Sequence, residues 1–258
     1  MKLIVLVKEV PDTYGDRKLN LETGLADRAA SEAVLDEISE RALEAALTYA
    51  DANEGTEVVA LCVAPEGSVA TVRKALAMGA QSAVHVADEA LLGADITLTA
   101  EVLAAAISKT GFDVVITGNV STDGSGGMVP AAIAEYLGVA HVTGLSELEI
   151  TDGKVGGPRP VDGGTQRVSA PLPAVVSITE ALPDPRFPNF KGIMAAKKKP
   201  LETMTLADLN ISAENPESAR SIMLMVAEKP PREAGIKITD EGDAGEKLAN
   251  FLIENRLA

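Results

Sequence analysis

Ten residues, Gly118-Asn119-Val120-Ser121-Thr122-Asp123-Gly124-Ser125-Gly126-Gly127, stand between an apolar β-like run at 113–117 and a helix-like stretch at 128–137 that opens Met128-Val129-Pro130-Ala131. A glycine-rich connection of this kind leaves the carboxyl end of a strand and enters a helix N-terminus. There, unpaired N–H groups and the positive end of the helix dipole hold an anion without a lysine. A phosphate group is the chemistry the pattern suits. GxxxxGK[ST] is absent, and Gly124-Ser125-Gly126 is followed by Val129 where GxGxxG needs glycine. A Walker-type NTPase and an ordinary dinucleotide dehydrogenase are therefore disfavoured. The competing reading is a turn whose glycines serve geometry alone.

Other reactive side chains are sparse. Asp12 and Asp36 sit near early strand-to-helix connections and could face the same crevice, although Asp36 is better explained as the cap of the helix that follows. His85, in Val84-His85-Val86, and His141, between Ala140 and Val142, lack a second ligand at metal spacing and read as satisfied, partly buried histidines. No metal is expected. Cys62 is the single cysteine, which rules out an intramolecular disulfide, a CxxC pair and a cysteine cluster. There is no GxSxG elbow. No catalytic constellation emerges, and redox chemistry would have to be borrowed.

Charge gives a second feature. The 258 residues carry 23 basic and 38 acidic side chains, a net charge of −15, with three Tyr, four Phe and no Trp. An acidic surface with so few stacking platforms disfavours nucleic acid. Within it, residues 183–200 hold Arg186, Lys191, Lys197, Lys198 and Lys199 against Asp184 alone. Phe187 and Phe190 stand there among Pro183, Pro185 and Pro188, so a basic island bears two aromatics whose burial the prolines oppose. Such an island suits docking of an acidic partner or an anionic ligand; the plainer alternative is a solvated face that lowers self-repulsion.

The elements that must position these residues alternate. Apolar runs at 3–7, 57–63, 82–86 and 113–117 read as strands buried on both faces. Helical spacing recurs at 35–49, 68–78, 96–109 and 128–137, with Gly55 ending the first and Gly79 in a left-handed cap ending the second. The implied fold is α/β, a doubly wound, mostly parallel sheet with helices on both faces, Rossmann-like in style. Residues 12–31 read as a long loop or small hairpin. Glycine-separated β runs at 142–179, with Asp152-Gly153, Gly156-Gly157 and Gly163-Gly164 between them, predict antiparallel strands at a sheet edge. A short helix closes at Lys197-Lys198-Lys199, a β-like run covers 222–226, and an amphipathic helix covers about 244–255. Domains are read as a core at 1–210, including a loop at 183–199, and a C-terminal arm at 211–258. The opening apolar run is too short for a signal-peptide h-region and no apolar run could cross a membrane, so a cytoplasmic location without membrane insertion is expected.

Lys2-Leu3-Ile4-Val5-Leu6-Val7-Lys8-Glu9-Val10-Pro11-Asp12-Thr13, Val72-Arg73-Lys74-Ala75-Leu76-Ala77-Met78-Gly79-Ala80, Ser121-Thr122-Asp123-Gly124, Leu172-Pro173-Ala174-Val175-Val176-Ser177, Pro185-Arg186-Phe187 and Ile193-Met194-Ala195-Ala196-Lys197-Lys198-Lys199 occur in that order. Together they resemble the beta subunit of electron-transfer flavoproteins over essentially the whole chain. The resemblance implies a non-catalytic electron carrier that pairs with an alpha subunit holding most of the FAD. It would take electrons from acyl-CoA dehydrogenases or similar flavoprotein dehydrogenases and pass them to a quinone oxidoreductase, with the arm packing on the alpha subunit. It also implies a structural AMP against Leu6, Val7, Asp36, Glu37, Ile38, Ser39, Val63 and the loop from Val120 through Ser125, Gly126, Gly127, Met128 and Val129 to Ala131. Flavin contact falls on Thr13 and Tyr14, although Thr13 and Ile38 stand where some relatives present aromatics. Partner docking falls on Arg186, Phe187, Phe190, Lys191, Ile193 and Met194, with Phe190 as the anchor. A bifurcating relative would carry a second FAD in place of AMP, but its Gly-Asp-Thr-Ala-type run is not matched after Asp123. A stand-alone nucleotide-binding regulatory protein is the alternative from another class.

Overall fold

The computed structural model describes residues 1–15, 17–151 and 153–257. They divide into two units, Met1–Leu224 and Met225–Ala258. In the first, β1 (Lys2–Leu6) runs into a short antiparallel pair, β2 (Glu9–Pro11) with β3 (Ala33–Leu35), whose ends bracket residues 12–32 as a closed excursion. Then α1 (Glu37–Ala52), β4 (Glu57–Val63), α2 (Val69–Met78), β5 (Ser82–Val86), α3 (Ile96–Thr110), β6 (Val114–Gly118) and α4 (Val129–Leu137) alternate as the sequence predicts. The rest of the unit comprises β7 (Ala140–Leu145), β8 (Glu149–Thr151), β9 (Lys154–Val161), β10 (Gly164–Pro171), β11 (Ala174–Ile178), α5 (Phe190–Ala196) and β12 (Leu201–Met204).

Seven strands form one parallel sheet in the order β12-β5-β4-β1-β6-β11-β7. Strand periodicity sends alternate side chains to opposite faces. Leu3, Val5, Val58, Ala60 and Ile116 pack under α1 and α2 with Leu43, Leu47, Val72 and Leu76. Ile4, Leu6, Val59, Leu61 and Val115 pack under α3 and α4 with Leu98, Val102, Ile107 and Ile133. Two apolar layers on one sheet are the doubly wound arrangement, and neither layer contains a buried aromatic. Small aliphatic side chains let the helices lie close to the strands.

Three expectations are corrected. Of the strands at 142–179, β7 and β11 enter the main sheet in parallel, and only β8, β9 and β10 are antiparallel, in a three-stranded sheet of their own. The hairpin presses close: a Cβ on Gly156 would lie 2.1 Å from the Val168 carbonyl oxygen and one on Gly157 2.2 Å from that of Glu147. Asp152 lies outside the described residues. Gly79 ends α2 at φ 150°, ψ −16°, a positive φ beyond the left-handed helical basin, with Leu47 packed where a Cβ would stand. Residues 222–226 form no strand, because no strand of this chain pairs with them.

Among the described residues the second unit has one helix, α6 (Ala244–Glu254), with no buried residue, and Leu248 and Ile253 exposed. No described helix is long and apolar enough to cross a membrane.

Cys62 lies in the middle of β4 with no exposure, and burial pushes its thiol up to about 12. A buried, protonated thiol does not react. Alkylation of Cys62 is therefore expected only through global opening, so its rate should follow the denaturant dependence of unfolding measured by circular dichroism.

Candidate functional site

The chain leaves β1 through α1 to β4 on one side, and returns from β5 through α3 to β6 on the other. The carboxyl ends of β1 and β6 therefore part company, the point at which open α/β sheets bind ligands. Leu6 and Val7 form the floor on one side, Gly118 that on the other. A Cβ on Gly118 would lie 2.8 Å from Ile38 Cγ2, so glycine there lets the first turn of α1 descend onto the end of β6.

Asp36 joins the two sides. It is 1% exposed, and its Oδ2 accepts from Ser39 N at 3.1 Å and Ser39 Oγ at 3.2 Å as the N-cap of α1. Its Oδ1 accepts from Thr122 N at 2.8 Å. The capping role expected from sequence is thus confirmed, and the same carboxylate anchors the glycine loop. Glu37, one residue on, is exposed, and Val63 stands half-buried at the end of β4.

The loop after Gly118 is shaped by its own backbone. Ser125 and Gly127 have φ of 49° and 66°, and Ser125 N donates to Ser121 O at 3.0 Å. Lys8 Nζ reaches in from the end of β1 to Ser121 Oγ at 3.1 Å and Asp123 Oδ1 at 2.7 Å. Arg28 Nη2 lies 3.9 Å from Asp123 Oδ2, and Arg17 donates to the Thr122 carbonyl. Burial pushes the Asp123 carboxyl up, but hydrogen bonds from Lys8, Ser121 and Gly124, with the Lys8 charge, outweigh it and hold the group below the usual range. Two buried acceptors, Asn119 Oδ1 and Thr122 Oγ1, have no protein partner. The N–H groups of Gly126, Gly127 and Met128 likewise donate to no group among the described residues, just ahead of the first turn of α4. Orphaned polar atoms, free N–H groups and a helix N-terminus fit a phosphorylated, hydrogen-bonding ligand. Val120, Val129 and Ala131 are half-buried around them, and Met128 is exposed.

Lys8, Arg17 and Arg28 are the site residues that sequence reasoning missed. Lys8 carried a signal, because it directly follows a strand whose carboxyl end faces the crevice. Arg17 and Arg28 carried none, since the excursion that brings them back has no regular pattern. The histidines stay apart from this chemistry. His85 is fully buried, with Nε2 3.1 Å from the Ala64 carbonyl oxygen and Nδ1 unpartnered, so it is only half satisfied; His141 is exposed on the edge strand β7. Thr13 and Tyr14 occupy an exposed turn held by Tyr14 N to Asp12 Oδ1 at 2.8 Å, and Tyr14 is wholly exposed. A cavity of about 710 Å³ lies elsewhere, between α1 and residues 146–150 and 181–183.

The basic segment forms a second surface. Asn189 caps α5 by accepting from Gly192 N at 2.8 Å, and a Cβ on Gly192 would meet the Ala77 carbonyl oxygen at 2.4 Å, so α5 lies tightly on α2. Lys199 Nζ satisfies the carbonyls of Leu76 and Ala80 at 2.9 and 2.7 Å, and Arg73 donates to the Ala196 carbonyl at 2.7 Å. Outward stand Phe187 at 95% exposure, Phe190 at 78%, Ile193 and Met194, with Lys191, Lys197 and Lys198. Arg186 is turned toward α1.

This geometry coincides with a family match. Residues 23–209 fit the model described as "Electron transfer flavoprotein domain". The protein named electron transfer flavoprotein subunit beta in Mycobacterium leprae (strain TN) is 45% identical over 262 residues, spanning 99% of this chain and 98% of its own. The chain belongs to the electron transfer flavoprotein beta-subunit family. Its counterpart of the same name in Mycobacterium tuberculosis (strain ATCC 25618 / H37Rv) is 44% identical over 263 residues, with 99% and 98% covered. The Caffeyl-CoA reductase-Etf complex subunit CarD of Acetobacterium woodii is 34% identical over 215 residues, covering 83% of this chain and 82% of that one.

The Lys8–Asp123 contact predicts a titration. A carboxyl held below its ordinary 3.8 contributes stability that is complete above that value and is lost as pH falls through the lowered one. In Lys8→Gln the Asp123 midpoint, followed by carboxyl NMR, is expected to move up. The crevice should then lose only about 0.5–1 kcal/mol, because Lys8 is substantially solvated.

Proposed function

We propose that this chain is the beta subunit of a heterodimeric electron carrier of the cytoplasm, without catalytic residues of its own. The single observation that carries the reading is near-full-length similarity to proteins named as that subunit. An alpha subunit is its constant partner and holds most of the FAD. Bound there, FAD supplies an acceptor that takes electrons from two-electron donors and releases them singly. This chain's contribution is to enclose and to orient: Thr13 and Tyr14 offer an exposed turn to the flavin side, and the arm at 211–258 supplies Ile222, Leu224, Met225 and Ile236 as unburied apolar contacts for the alpha subunit.

In the crevice we assign AMP. Its phosphate suits the N–H groups of Gly126, Gly127 and Met128, and the unpartnered acceptors Asn119 Oδ1 and Thr122 Oγ1 suit hydroxyl or amino donors of a nucleoside. No side chain there is placed to cleave it, which agrees with a structural ligand. Asp36, Lys8 and Asp123 fix the loop rather than act on the nucleotide. The segment at 183–199 receives acyl-CoA dehydrogenases or similar flavoprotein dehydrogenases, and a quinone oxidoreductase takes the electrons onward. Exposed aromatic anchors ringed by lysines fit an acidic docking face.

The test is to co-express the chain with its alpha subunit, record the absorption spectrum, and identify the small molecules released on denaturation. One FAD and one AMP per heterodimer are expected. A complex without flavin overturns the assignment, and two FAD without AMP replaces it with a bifurcating subunit. A stable, nucleotide-bound monomer that ignores the alpha subunit on size exclusion points to a stand-alone regulatory protein. Phe190→Ala is expected to slow flavin reduction at subsaturating donor while leaving both ligands bound; stopped-flow absorbance measures it.

A further inference from the structure

Three ion pairs, running in both directions, tie residues 182–186 to α1. From the helix, Arg41 donates to the Leu182 carbonyl and to Asp184 Oδ1 at 2.6 Å. From the segment, Arg186 donates through Nε to Glu44 Oε2 at 2.8 Å and through Nη2 to Glu44 Oε1 at 2.9 Å, with Asp51 Oδ2 at 3.0 Å. The Arg186 backbone N–H also donates to Glu44 Oε2, at 2.9 Å, and Thr48 Oγ1 supports the other oxygen at 3.1 Å. One carboxylate thus holds both the side chain and the main chain of the residue before Phe187. Burial raises the Glu44 carboxyl, yet the hydrogen bonds and charge of Arg186 outweigh it and keep it below the usual range.

The exposed patch is therefore held from two places. Phe190, Ile193 and Met194 belong to α5, which α2 fixes through Gly192, Arg73 and Lys199. Phe187 lies in the proline-broken segment, where Pro183, Pro185 and Pro188 offer no N–H for a ladder. α1 fixes it through Glu44. A two-point fork sets orientation as well as distance, which a lysine could not do.

We propose that Glu44 is a positioning residue for donor docking: acting through Arg186, it presents Phe187 in fixed relation to Phe190, and Arg186 itself works inward rather than on the partner. Preorganisation of this kind lowers the ordering cost of association. The inference rests on the reading that 183–199 receives the electron donor.

The test uses the flavin-loaded heterodimer and a reduced acyl-CoA dehydrogenase at varied concentration. Glu44→Gln and Arg186→Gln are each expected to raise the KM for the donor about fivefold with kcat retained, the scale of one ordinary net hydrogen bond. The double variant should be no worse than either single one. Arg186→Lys should behave like Arg186→Gln, because the fork and not the charge is used. Asp51→Asn, at the outer arm of the clamp, should give a smaller rise in the same direction and serves if Glu44→Gln does not assemble. An unchanged KM in Glu44→Gln while Phe190→Ala raises it overturns the inference and leaves the docking surface standing. Unchanged KM in both variants removes the docking surface as well. If Arg186→Gln is additive with Glu44→Gln, or Arg186→Lys recovers wild-type KM, then Arg186 touches the donor directly and the positioning role is refuted.

Discussion

A single buried carboxylate, that of Asp36, ties the crevice together. Where β1 and β6 diverge, the sheet leaves a gap that no strand pairing can bridge. Asp36 bridges it by satisfying the first turn of α1 with one oxygen and the Thr122 amide with the other. Because a buried carboxylate must be fully hydrogen-bonded to be tolerated, the loop and the helix are fixed relative to each other. The free N–H groups of residues 126–128 acquire a defined direction only because the turn before them is held. Lys8 adds a restraint from the floor, and the excursion at 12–32 closes over the turn through Arg17.

The same economy governs the basic segment. Of its five cations, two are used internally: Arg186 on Glu44 and Asp51, and Lys199 on the carbonyl end of α2. Lys191, Lys197 and Lys198 are exposed. The outward positive charge is smaller than the composition suggests, and it shares one segment with the exposed apolar side chains. In an acidic molecule this separation of structural from outward-facing charge makes a small surface electrostatically distinct.

Much of the architecture was legible because its signals are local. The runs 57–63 and 82–86 match β4 and β5 to the residue, since a strand buried on both faces is continuously apolar and ends where polarity resumes. The lysine run at 197–199 likewise marked the end of α5, which closes at Ala196. The strands at 142–179 were misplaced because glycine spacing announces turns but does not record which neighbour a strand selects; the parallel pairings of β7 and β11 depend on where α4 returns the chain. The place of the glycine loop between β6 and α4 could be read, whereas the Lys8, Arg17 and Arg28 contacts could not. They join residues some 95 to 115 positions apart. Arg186 was visible as charge, and its pairing with a carboxylate on α1 was not.

The aliphatic character of both core layers bears on where an electron can travel. Saturated side chains offer no accessible redox level, and both layers are built from them, with Tyr49 and Phe112 packed against them only as partly buried side chains. Among the described residues the sheet itself therefore holds no fully buried tyrosine that could act as a relay, and the exposed aromatics Tyr14, Phe187 and Phe190 all lie outside it.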